Sequence, residues 1–205
     1  MEISPPPSPA PRQGRGRPRS FDRDAALAKA MRLFWDRGYE GTSVADLTQA
    51  MGITPPSLYA AFGSKEELYR EVMRAYRAGP GVFTLRALEE EPDARAAIRR
   101  LLRETAIAFT DPACPAGCLI STALITCAPE HDAVAAETAR LRRDTLAAIA
   151  ACIRRGIAAG DWPAGTDAEA LARLYGAVIQ GMSIQARDGA GRDELLAMVD
   201  QIMPG

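Results

Sequence analysis

Apolar residues recur at helical spacing along almost the whole chain, and no alternating run of strand type is long enough to matter. After a proline-rich start without apolar periodicity, Leu27, Ala30, Met31 and Phe34 share one face of a helix that begins at Asp22 and ends at Gly38. A second helix begins at Thr42 or Ser43, carries Asp46 in its first turn and stops at Gly52, a residue suited to the left-handed C-terminal conformation. Thr54 caps a third helix, with Pro55 where a missing N–H costs nothing. Ser64-Lys65-Glu66-Glu67 reads as a capping box opening a fourth. Beyond Gly79-Pro80-Gly81 the pattern predicts helices near 82–91, 93–110, 117–128, 131–160, 167–187 and 192–203, with Pro92, Pro112, Pro129 and Trp162-Pro163 at the joints. The predicted fold class is all-α.

Composition narrows the picture. A hydrophobic content of 47% in 205 residues supports one or two buried cores. The net charge of -1 hides an asymmetry: residues 1–77 carry 12 Lys+Arg against 9 Asp+Glu, or +3, and residues 78–205 carry 13 against 17, or -4. A basic end beside an acidic body suits a protein that puts one end on a polyanion. The start has no apolar stretch of signal-peptide type. The uncharged run 112–129 is interrupted by prolines, and its helix-compatible part is shorter than the ~20 residues of a membrane span, so a buried core helix is expected there. The predicted location is cytoplasmic, on the nucleoid, and the four cysteines are expected to be thiols.

The turn between the second and third helices is only Gly52-Ile53, which forces a steep crossing of the helix-turn-helix kind. Ile53 and Leu58 can pack inward while Thr54, Ser57 and Tyr59 point out. The run Leu33-Phe34, Gly38-Tyr39, Thr42-Ser43-Val44, Leu47, Met51-Gly52-Ile53, Ser57-Leu58-Tyr59, Phe62, Ser64-Lys65-Glu66 and Leu68 resembles the DNA-binding domain of the tetracycline-repressor (TetR) family. The resemblance implies a dimeric all-α transcription regulator, usually a repressor, released from operator DNA by a small molecule. It divides the chain into an arm (1–20), a helix-turn-helix DNA-binding domain (21–77) and a helical ligand-binding and dimerisation domain (78–205). Carried over by position, Thr42 or Ser43, Thr54, Tyr59 and Lys65 match phosphate-holding places, and such contacts set register without reading sequence. The third helix has no Arg, Lys, Asn or Gln, so readout falls to Thr54 and Ser57 hydroxyls and apolar contacts from Pro55, Pro56 or Ala60. Gly14-Arg15-Gly16-Arg17-Pro18-Arg19 resembles an AT-hook, whose Arg15, Arg17 and Arg19 would lie in a narrow minor groove. A solvated basic tail is the alternative for the same residues.

In the body, Leu146, Ile149 and Ile153 form an apolar stripe, and 167–187 is apolar around most of its circumference. These residues, with Val178 and Met182, are expected to form a four-helix homodimer interface. A small-molecule effector is expected between helices 93–110 and 117–128, against Leu102, Thr105, Phe109, Leu119, Thr122 and Ile125, with Tyr175 also in reach. Cys114, Cys118, Cys127 and His131 lie within 18 residues and offer the alternative of a thiol- or metal-responsive regulator, although prolines and Cys-x3-Cys spacing weigh against a metal. No cofactor and no metal are predicted. One histidine, without an acid–base constellation or a phosphate loop, leaves little for an enzyme to work with. An architectural protein binding A/T-rich DNA through its arm alone is the remaining alternative.

Overall fold

The computed structural model describes residues 21–203, and every regular element among them is helical. Nine α-helices follow in order: α1 (Arg23–Arg37), α2 (Val44–Met51), α3 (Pro55–Phe62), α4 (Lys65–Ala78), α5 (Phe83–Glu90), α6 (Ala94–Phe109), α7 (Asp132–Ala159), α8 (Ala168–Arg187) and α9 (Arg192–Ile202). A single 3-10 turn, Pro129–His131, leads into α7. The basic arm with Arg15, Arg17 and Arg19 lies outside the described residues.

The N-terminal helices start where side chains replace the missing turn. Asp22 accepts from the Asp24 and Ala25 amides, Ser43 from Asp46, Thr54 from Ser57 and Ser64 from Glu67. Gly52 closes α2 at φ 73°, ψ 35°, where a β-carbon would crowd the following carbonyl. Phe34, Leu47, Leu58, Leu68 and Tyr69 fill the space between α1 and α4, with Tyr69 edge-on to both Phe34 and Tyr39.

A second core lies among α5–α9 and centres on Ile98, Leu101, Leu102, Ile149, Ile153 and Met182. Here α7 and α8 come close because residue 176 is glycine, a β-carbon at that point running into the Leu146 side chain. The first core does not stop at α4. Leu119, Ala123, Val134 and Leu141 belong to it, so the body contributes part of the floor under the N-terminal helices.

The largest departure from the sequence pattern is residues 117–128, which are not a helix. The segment from 111 to 128 is a chain of turns and bends, with Gly117 at φ 76° and Leu124 at φ 49°. Beside a few bonds within the segment, several of its backbone groups are satisfied from outside. Trp35 Nε1 donates to Gly117 O (3.1 Å) and Arg32 to Ala113 O (2.9 Å). Ser183 Oγ accepts from Cys118 N (2.9 Å), Glu40 accepts from Ala128 N (2.7 Å), and Arg142 Nη1 donates to both Ile120 O and Ala123 O (3.0 and 2.9 Å). A backbone served by five distant side chains has no need of its own helical ladder. The uncharged run marks burial of a loop wedged between the two cores.

Candidate nucleic-acid interface and effector cavity

Helix α3 presents Thr54, Pro55, Pro56, Tyr59 and Ala60 to solvent, while Leu58 and Phe62 face the core. The Thr54 and Ser57 hydroxyls lie 3.0 Å apart and steady the first turn. No acidic residue stands in that turn, so the positive end of the helix is unopposed. Tyr59 is 49% exposed on the outer face. Lys65 is half-buried, with Nζ 4.2 Å above the Tyr39 ring, and desolvation holds its ammonium below the ordinary lysine value. Ser43 is exposed, but its hydroxyl is already engaged with Asp46, which also takes the Ser43 amide.

Thr42 does not fit its expected place. It is fully buried, and its hydroxyl donates to Gly38 O at 2.7 Å, closing the turn after α1. A side chain spent in this way cannot reach a phosphate, and Ser43 remains the surface residue of the pair.

Besides the bonds to the 111–128 loop already described, further bonds join this end to the body. Arg187, in the last turn of α8, donates to the terminal α1 carbonyls of Trp35 (3.1 Å) and Asp36 (2.7 Å). Arg70 of α4 pairs with Glu137 of α7 at 2.8 Å. Glu40, besides holding Ala128 N, lies 3.0 Å from His131 Nδ1. Its carboxyl is held below the ordinary range, first by the Ala128 amide and next by His131.

Between these attachments lies a cavity walled by α4, α5, α6, α7, α8 and residues 118–121. Its free volume is about 70 Å³. Phe83, Phe109, Leu146 and Ile179 supply apolar wall, and Tyr76, Ser121, Arg142 and Gln180 supply polar groups. Burial pushes the Tyr76 phenol well above its ordinary value, and its hydroxyl points to Cys118 Sγ at 3.5 Å.

Of the seven residues expected around a ligand, Thr105 and Phe109 line this cavity. Leu102 is buried in the body core, as is Tyr175, whose hydroxyl meets Met203 Sδ at 3.0 Å. Leu119 and Thr122 line a separate recess behind α1, and Ile125 is 68% exposed. The reason is the missing helix at 117–128: a bent loop turns Leu119 towards α1 and only Cys118, Ile120 and Ser121 towards α6. Tyr76, Phe83, Arg142 and Gln180 went unrecognised, because nothing in their spacing marks residues of four different helices as neighbours.

The expected dimer residues need a similar correction. Ile149, Ile153 and Met182 are completely buried within the single chain, Val178 is half-buried against the same core, and Leu146 packs over Gly176 at the cavity. Ile149, Ile153 and Met182 have no surface left to offer a partner. The exposed apolar side of α8 instead carries Leu174 (54% exposed) and Ile184 (49%), with Ala177 and Gly181 between them at helical spacing. Nor do the cysteines and His131 converge: among the described residues no group of three or more metal-type ligands forms. Cys118 lines the cavity, Cys114 lies against α1, and Cys127 is half-buried near the start of α7. No helix among the described residues is long and apolar enough to cross a membrane.

Comparisons with known proteins agree with this architecture end to end. Residues 26–72 match the family described as bacterial regulatory proteins, tetR family, and residues 81–201 match the tetracyclin repressor-like C-terminal domain. The HTH-type transcriptional repressor ComR of Escherichia coli (strain K12) is 37% identical over 188 residues, covering 90% of this chain and 89% of that protein. The repressor BdcR of the same organism is 29% identical over 89% of this chain and 87% of its own length. A solved structure of the TetR family transcriptional regulator CifR, a cysteine mutant complexed with 26-base-pair operator DNA, superposes with a TM-score of 0.88 at 48% identity, covering 91% of this chain and 98% of that one. With both its helix-turn-helix end and its helical body matched, the chain belongs to the tetracycline-repressor family of bacterial regulatory proteins.

Proposed function

We propose that this protein is a repressor of transcription that binds double-stranded operator DNA as a homodimer and leaves it when a small molecule fills the cavity beside α4. The observation that carries this reading is the double use of α4. Its first turn holds Lys65 at the candidate DNA surface, and its last turn gives Tyr76 and Arg77 to the cavity wall. A ligand touching Tyr76 therefore touches the element on which the α1–α3 unit is mounted. Two recognition helices must enter successive major grooves about 34 Å apart, so a small tilt of α4 in each protomer costs DNA affinity. A ligand favouring the tilted form shifts the population away from the DNA-competent state, and operator DNA must weaken ligand binding by the same factor.

Tyr59, Thr54 and Lys65 are the proposed phosphate anchors, with Ser57 and Pro55 nearest the base edges. The stripe Leu174, Ala177, Gly181 and Ile184 is proposed as the dimer contact, since it is the apolar side of α8 that the protomer leaves uncovered. The proposed site of action is the cytoplasm, on the nucleoid, and no catalytic activity is proposed.

Electrophoretic mobility shift with the DNA flanking the protein's own gene tests the reading. Lys65→Ala and Tyr59→Phe should weaken binding to that DNA and to random DNA alike, since phosphate contacts are blind to sequence. A change in base preference at unaltered overall affinity would remove both residues from the anchor role. In sedimentation, Ile184→Arg should yield a folded monomer, and a dimer of unchanged strength would refute the proposed contact stripe.

A further inference from the structure

One cation on the cavity wall is only half spent. Arg142 of α7 lines the cavity and is partly buried. Its Nη1 donates to Ile120 O and Ala123 O, at 3.0 and 2.9 Å. Among the described residues its Nε and Nη2 have no acceptor, and no carboxylate pairs with it. Guanidinium groups hold carboxylates through two parallel donors, and the Nε–Nη2 edge is such a fork left open. A partly desolvated cation without a counter-charge favours the approach of an anion. Desolvation accordingly pulls this guanidinium below its ordinary value.

The neighbourhood reinforces the sign. Arg77, also on the wall, meets its nearest carboxylate, Asp144, only at 3.9 Å, and Arg140 takes that same Asp144 at 3.2 Å. Ser121 and Gln180 line the same space, and neither side chain has a hydrogen-bond partner among the described residues. The hydroxyls of Thr105 and Thr145, by contrast, are committed to the carbonyls of Leu101 and Leu141. The free polar groups are thus the guanidinium edge, the Ser121 and Thr84 hydroxyls and the Gln180 amide. Phe83, Phe109, Leu146 and Ile179 supply the apolar part of the same lining.

Resting on the effector-cavity reading above, we infer that the cavity takes a compact monocarboxylate, its carboxylate on the open edge of Arg142 and its apolar body against Phe83, Phe109 and Ile179. The modest free volume excludes a long acyl chain in this conformation. The geometry also supplies a route to the DNA-binding end. Arg142 is the residue that ties down Ile120 and Ala123, while Leu119 and Ala123 form part of the N-terminal core and Gly117 holds Trp35. A carboxylate that draws the guanidinium towards the cavity loosens the loop on which α1 rests.

Isothermal titration of the full chain with pentanoate, hexanoate, benzoate and phenylacetate, each beside its primary amide, tests this. The best acid should bind about tenfold or more tightly than its amide, the difference expected for a charge-assisted pair over a neutral one. Arg142→Gln should erase that difference, and Arg142→Lys, which keeps the charge and loses the fork, should retain part of it. The acid-against-amide comparison needs only the wild-type chain, so misfolding of a variant does not blunt it. Amides binding as tightly as acids, or no acid binding at all, would overturn the carboxylate assignment. A parallel shift assay on operator DNA separates the two readings. Acids that bind with the predicted preference but leave DNA affinity unchanged support the ligand class and refute the effector role. Amides that release DNA as well as acids do support the effector role and refute the class.

Discussion

Helix α3 and the loop that joins α6 to α7 are both short, apolar and placed against the same N-terminal core, yet they hold their backbones by opposite means. Helix α3 carries its own instructions: Thr54 caps it, Pro55 opens it, and Leu58 and Phe62 anchor it. The loop from 111 to 128 makes a few bonds of its own and borrows the rest. Trp35, Glu40, Arg142 and Ser183 come from outside it to satisfy Gly117, Ala128, Ile120, Ala123 and Cys118. A segment that is locally coded folds the same way in any context, whereas a borrowed one holds its shape only while its lenders stay in place. That difference suits the loop to carry a signal and α3 to present a rigid surface to DNA. Elements of low local stability are those that move when a protein switches.

The contrast can be broken most directly at its main lender. Arg142→Met leaves two loop carbonyls without their donor, and hydrogen bonds from a charged donor contribute about 1.5–3 kcal/mol each before the relief of desolvation is subtracted. A net loss of about 2 kcal/mol is expected. Hydrogen exchange should locate it in residues 119–124, with the amides of α2 and α3 protected as before. Equal loss of protection in α3 would mean that the two regions are not independent.

A smaller effect is expected from the local side. Thr54→Ala removes the cap of α3 and should cost about 0.5–1 kcal/mol, read from urea unfolding. Here the faster exchange should stay in α3 and leave the loop untouched.

The smallest effect sharpens the seam between them. Because the Ala128 amide and then His131 hold the Glu40 carboxyl below its ordinary range, folding favours the ionised form. The stabilisation is therefore complete above the ordinary carboxylate range and is lost as pH falls through the lowered native value. Glu40→Gln, which keeps an acceptor for Ala128 N, should flatten the acid side of the profile of thermal midpoint against pH. A profile identical to that of the wild type would show that Glu40 contributes nothing to the coupling of loop and domain.

The first four helices were legible because their signals are short-range. Asp22, Ser43, Thr54 and Ser64 each bond an amide two or three residues away, and Gly52 needs only its own torsions. The long helices of the body were legible for a similar reason, apolar spacing being a property of one helix. That spacing tells which residues are buried and stays silent on what buries them. Ile149, Ile153 and Met182 read as interface and proved to be core, because a stripe facing the same chain looks like one facing a partner. Thr42 was taken for a surface hydroxyl because its bond to Gly38 O exists only once the chain has turned after α1.

By itself the sequence determined the all-helical class, the helix-turn-helix with its caps, the family, and the apolar character of the body, since all of these depend on neighbours within a turn or two along the chain. The tertiary structure alone decided that 117–128 is a wedge and not a helix, that Tyr76, Phe83, Arg142 and Gln180 surround one cavity with Thr105 and Phe109, and that α8 turns Leu174 and Ile184 outward. These outcomes rest on bonds and contacts between residues many tens of positions apart. Such pairings are selected by how whole helices pack, and no local pattern records them.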